Sequence, residues 1–103
     1  MSELPPLSYL EPIAGRTPEF VELVEEVRRR ALYTPGALDV KTKLLIAFAL
    51  DVARHRQGGA RQLAERARAF GATEDELVEV LQILYSVSGM QSLSLGAPAL
   101  DLE

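Results

Sequence analysis

Residues 40–53 read VKTKLLIAFALDVA, and from Leu44 onward the segment is apolar on nearly every side, with Asp51 as the charged exception. Asp39 precedes it, a residue type that caps helices by accepting hydrogen bonds from the free N–H groups of the first turn. A helix with no polar face has to be covered on most sides. In a chain of 103 residues that leaves two arrangements: the centre of a small bundle, or a subunit interface. Hydrophobic residues make up 48% of the chain, enough for a real core. A domain this small buries a modest fraction of its surface, which favours burying more by oligomerising.

The flanking segments are helical too. Thr17-Pro18-Glu19 opens a first helix, with a capping threonine, a proline suited to the first turn and an acid at the positive end of the dipole. Phe20, Val24, Val27 and Ala31 follow as one stripe at helical spacing. Glu25–Arg29 and Glu26–Arg30 are i,i+4 pairs of the favourable orientation. Thr34-Pro35-Gly36 stops this helix. The second, apolar helix is expected to run from Asp39 to about Arg56, and a third from about Ala60 to Phe70, closed by Gly71. Thr73 with Glu76 forms a capping box. It starts a fourth helix that carries Leu77, Val80, Leu81, Leu84 and Tyr85 on its packing face and ends at Gly89, with a short helical turn expected before Pro98. Residues 1–16 contain Pro5, Pro6 and Pro12 and read as an extended arm, pinned by Leu7, Tyr9, Leu10 and Ile13. No segment alternates like a strand. The expected organisation is all-α, an extended arm over residues 1–16 and a single helical domain over residues 17–103.

Charge and composition exclude several functions. The net charge is −4 and the sequence pI about 5.0, whereas nucleic acid and anionic membranes reward a basic surface. Residues 63–81 have a helix–glycine–helix look, but the second helix opens with Glu74, Asp75, Glu76 and then Glu79, four acids that would face phosphates. No nucleic-acid partner is expected. The longest apolar run, LLIAFAL, is too short to span a bilayer, so no membrane partner is expected either. MSELPPLSYL lacks the basic and apolar regions of a signal peptide, and a cytoplasmic location is expected. The chain contains no cysteine, which removes thiolate nucleophiles, disulfides and cysteine-type metal sites. No cofactor and no metal are expected. The lack of asparagine and the excess of arginine over lysine fit a heat-adapted source, and GC-rich coding gives a similar bias.

Two blocks carry a resemblance. The first is Leu38-Asp39-Val40-Lys41-Thr42-Lys43-Leu44-Leu45-Ile46-Ala47. The second is Ala69-Phe70-Gly71-Ala72-Thr73-Glu74-Asp75-Glu76-Leu77, continuing to Val80-Leu81. In order and separation they resemble the carboxymuconolactone decarboxylase family, which includes the AhpD-like alkylhydroperoxidases. The match spans roughly residues 38–95. The resemblance implies an AhpD-like helical bundle and a homotrimer or trimer-based hexamer. The peroxidase branch of that family carries Cys-x-x-Cys between its second and third helices, with a histidine beyond it and a glutamate before it. In this register the glutamate falls on Leu44, the cysteines on Arg56 and Gly59, and the histidine on Leu63, so every group is replaced. The decarboxylase branch, aligned in the same way, keeps the histidine at the Leu63 position. A leucine cannot move a proton.

What remains at the junction is HRQGGARQL, residues 55–63, with the chain's single histidine. His55 lies one turn beyond Asp51 on the second helix, so the two side chains can meet at i,i+4 and the carboxylate can orient the imidazole as half of a catalytic arrangement. A helix-end histidine paired with its neighbour is the plainer reading, because no nucleophile accompanies the pair. Arg54, Arg56 and Arg61 either hold a carboxylate ligand or are solvated charges, with Arg61 pairing to Glu65. Gly58-Gly59 either makes the turn or permits a close backbone approach. Two functional readings follow. The leading one is a homo-oligomeric AhpD-like protein without thiol peroxidase activity, whose junction takes a small anionic molecule between an apolar wall of Leu44 and Leu63 and a rim of His55 and Arg56. The alternative is a cofactor-free decarboxylase-like or lactone-processing enzyme that uses His55, supported by Asp51, as general acid–base.

Overall fold

The computed structural model describes residues 11–89 and 96–100. Among the described residues five α-helices run in the order α1 (Glu11–Ala14), α2 (Pro18–Leu32), α3 (Val40–Ala53), α4 (Gln57–Ala69) and α5 (Glu74–Ser88), with a 3₁₀ turn at Ala97–Ala99 and no strand. The all-α expectation holds. Of the arm read over residues 1–16, Leu7, Tyr9 and Leu10 lie outside the described residues, and Glu11–Ala14 form a helical turn rather than extended chain.

Local signals set most helix ends. The Asp39 side chain accepts from Thr42 N at 2.8 Å. Thr73 Oγ1 accepts from Glu76 N at 3.1 Å while Glu76 Oε1 accepts from Thr73 N at 2.9 Å, so the capping box is closed in both directions. Gly71, at φ 103°, ends α4. There Ala72 N donates to Ala67 O and Gly71 N to Arg68 O, the paired 6→1 and 5→2 bonds of a Schellman motif. Thr17 makes no side-chain cap bond.

The core lies between α3, α4 and α5. Phe48 and Val52 of α3 meet Ala60 and Ala64 of α4 and Leu77 and Leu81 of α5, with Ala99 closing one side. A second cluster joins Tyr33, Val40, Leu44, Ala67 and Ala72. All the fully buried residues of α4 are alanines, at positions 60, 64 and 67. Their i, i+4, i+7 spacing forms one smooth stripe that lets α3 approach closely, and α3 packs more extensively on α4 than on any other element. Lys41 donates to Glu76 across 2.9 Å, tying the first turn of α3 to the first turn of α5. Arg68 Nη2 donates to Ala99 O at 2.9 Å and to Glu74 Oε1 at 3.1 Å, holding the 3₁₀ turn against α4.

Several expectations change. The third helix begins at Gln57, not near Ala60, and Gly58 and Gly59 lie within its first turn. The first N–H groups of a helix have no intrahelical partner, so two glycines cost little there. Glu25 pairs with Arg28 rather than Arg29, and Arg29 and Arg30 share Glu26. Tyr85, read as a packing residue, is exposed. It lies at the edge of the stripe that Leu77, Leu81 and Leu84 bury. The α2 stripe is uncovered as well: no residue of α2 is fully buried.

Candidate functional site

The junction between α3 and α4 is made by the way α3 ends. Arg56 N donates to Asp51 O at 2.8 Å and His55 N to Val52 O at 3.0 Å. These are again the 6→1 and 5→2 bonds of a Schellman motif. Here His55 occupies the left-handed position that glycine usually takes, at φ 63°. Histidine is among the non-glycine residues that tolerate this region best. The helix therefore stops at Ala53 rather than near Arg56, and His55 has left the helical path.

That removes the premise of the Asp51–His55 pair. The i,i+4 geometry needs both residues on one helix; with His55 in the turn, no hydrogen bond or ion pair joins the two among the described residues. His55 is exposed, as are Arg54 and Arg56 on either side and Arg61 on α4. Arg61 makes no ion pair with Glu65 among the described residues.

Asp51 instead faces the opening turn of α4. A Cβ on Gly59 would collide with Asp51 Oδ2 and stand 3.2 Å from its Cγ, with Arg56 Cβ 3.8 Å away. Of the two readings of the glycine pair, close approach is the one the structure bears out at Gly59; at Gly58 there is open space. The half-buried Asp51 carboxylate thus fills the space that a side chain at position 59 would need. Leu44 has no exposed surface, and Leu63 is half-buried against both core clusters. Both leucines are thus part of the core packing at the junction. The structure brings together Asp51, Arg56 and Gly59 on one side and Leu44 and Leu63 on the other, and leaves His55 at the rim. Among the described residues no group of three His, Cys, Asp or Glu could hold a metal ion, and no helix is long and apolar enough to cross a membrane.

Electrostatic perturbation lies away from this junction. The Lys41 ammonium beside Glu76 holds that carboxyl below its usual value, aided by Thr73 N–H, and the same pairing raises Lys41. Asp39 is lowered by its bonds from Thr42, and Glu26 by Arg30 and Arg29. These are capping and pairing effects at helix ends.

A surface feature that sequence reasoning did not locate lies between α3 and α5. Leu45, Ile46, Ala49, Leu50, Ile83 and Leu84 line an open groove of about 270 Å³ with a wholly apolar wall. Its signal was the all-round apolarity of α3, which required cover without saying where.

Residues 18–101 match the sequence pattern of the Carboxymuconolactone decarboxylase family. The uncharacterized protein MJ1511 of Methanocaldococcus jannaschii is 24% identical over 90 residues, which cover 87% of this chain and 83% of that protein. The crystal structure of apo-lpg0406, a carboxymuconolactone decarboxylase family protein from Legionella pneumophila, superposes with a TM-score of 0.79 at 33% identity, covering 89% of this chain and 81% of that one. A match over most of the chain, joined to the same helical fold, makes this chain a member of the carboxymuconolactone decarboxylase family.

Proposed function

We propose that this chain is a homo-oligomeric member of its family without thiol peroxidase activity, and that its α3–α4 junction offers a small organic anion a surface rim of His55 and Arg56. One observation carries this reading. The Asp51 carboxylate occupies the space at Gly59, and Leu44 and Leu63 are packed into the core. A ligand inside the junction would have to displace core side chains, and an anion there would meet a carboxylate. The exposed cations outside are what a carboxylate end can use, at about 1.5–3 kcal/mol for a good charge-assisted contact. The enzyme reading is not favoured, because the imidazole lacks the carboxylate that would orient it.

Three measurements test the reading. Metal-free protein is expected to turn over no hydroperoxide with dithiothreitol above a heat-denatured control; measurable turnover would overturn this part. Light scattering at micromolar concentration is expected to return a multiple of 11.3 kDa, a trimer or hexamer by analogy with the family, and a monomer would refute it. A panel of aromatic and aliphatic carboxylates is expected to contain at least one that raises the melting temperature, since ligand at 100 times its Kd stabilises by about 2.7 kcal/mol. The rise should vanish in Arg56→Ala. A panel without any shift at millimolar concentration would remove the anion from the proposal.

A further inference from the structure

We propose that the α2 helix of one copy seats, antiparallel to α3, in the α3–α5 groove of a second copy; this rests on the homo-oligomer reading above. The first observation is a matched pair of uncovered apolar surfaces. Phe20, Leu23 and Val27, at i, i+3 and i+7 on α2, are 53%, 65% and 66% exposed. The groove is flanked by Ile46, Leu50 and Ile83, exposed to similar extents. Lengths agree: the stripe runs from Phe20 to Val27, seven helical rises or about 10.5 Å, and the groove follows α3 from Thr42 to Leu50, about 12 Å.

The second observation is charge, which sets direction. Glu19 lies in the first turn of α2 without an ion pair among the described residues, and Arg29 and Arg30, which share Glu26, leave its C-terminal end net positive. Lys41–Glu76 places the starts of α3 and α5 side by side, so Asp75 and Glu79 lie at the Thr42 end of the groove. Arg54 lies one turn beyond Leu50 at the other end. Antiparallel seating sets Glu19, which flanks the stripe, toward Arg54, and Arg30, which flanks its other end, toward Glu79. Parallel seating would set like charges together. The helix dipoles favour the same direction.

The absence of native cysteine gives a clean test. Leu23→Cys and Ile83→Cys are made in separate chains, both at exposed positions, then mixed and oxidised. A mixed disulfide dimer is expected, exceeding either variant's self-crosslink, while Leu23→Cys mixed with Arg61→Cys gives background only. In a second test, Glu19→Lys is expected to weaken assembly in light scattering, and adding Arg54→Glu to restore it. An oligomer that forms no mixed disulfide and ignores Glu19→Lys overturns the docking assignment and leaves the oligomer reading standing. A wild-type monomer overturns both. An intramolecular disulfide between Leu7→Cys and Ile83→Cys, in place of the mixed dimer, would give the groove to the chain's own first residues and overturn the proposal. Docking of a different protein there would show as a monomeric chain with no mixed disulfide, and would also overturn it.

Discussion

Replacing His55 with glycine is expected to stabilise the protein. His55 sits at φ 63° and closes α3 through the two backbone bonds from His55 N and Arg56 N. Holding an L-residue in left-handed backbone costs about 1–2 kcal/mol, with histidine toward the lower end. Glycine removes that cost but adds about 0.4–1 kcal/mol of unfolded-state entropy. The His55 side chain makes no hydrogen bond or ion pair among the described residues that would be lost. With about 1 kcal/mol for histidine the net gain is up to about 0.6 kcal/mol, which in a domain near this size moves the melting temperature up by as much as roughly 5 °C. Urea denaturation at one fixed protein concentration reads it as a higher midpoint at unchanged m-value. His55→Ala, which keeps the Cβ, is expected to leave the midpoint nearly where it was. Gly71 ends α4 by the same motif with glycine in place, at φ 103°, so Gly71→Ala is expected to cost about 1 kcal/mol or more. If His55→Gly lowered stability, the histidine would be making an interaction that outweighs its backbone strain, and the reading of the turn as a strained helix end would be wrong.

Gly59→Ala is expected to destabilise by about 1–3 kcal/mol, because its Cβ collides with Asp51 Oδ2; Asp51→Ala should relieve part of that loss, and additive costs in a double-mutant cycle would refute the crowding. Leu44→Ala is expected to cost about 2–5 kcal/mol in denaturant melts, since Leu44 is fully buried and its neighbours cannot readily close the cavity; a loss under 1 kcal/mol would mean the second cluster is loosely packed. Stability is expected to fall on acidification below about pH 4, the ordinary carboxylate range. Glu76, Asp39 and Glu26 titrate below their usual values in the folded chain. Their stabilisation is therefore complete above the unfolded pKa and lost as pH falls through the folded one. Lys41→Met should flatten the Glu76 part of that loss, and an unchanged acid profile would count against the pair.

The helices, their caps and the family were legible in the sequence because those signals are local. Asp39 reaches Thr42 N, and Thr73 exchanges bonds with Glu76, within three residues each. Gly71 marks the end of α4 by its lack of a Cβ. Leu77 and Leu81 announce the buried face of α5 by their spacing. The continuous apolarity of residues 44–53 required cover on several sides, and the two blocks around it carried the family. The end of α3 was not legible, since its closing residue is a histidine where glycine is the usual sign. Once His55 turned into left-handed backbone, Asp51 lost it as a neighbour and met Gly59 instead, a contact that depends on how two helices cross. Tyr85 and the α2 stripe were apolar at helical spacing like the true core residues, yet they remain exposed. Periodicity identifies a face able to be buried; only the packing of α3 on α4 and α5 decided which faces were, because burial needs a partner surface that no local pattern supplies.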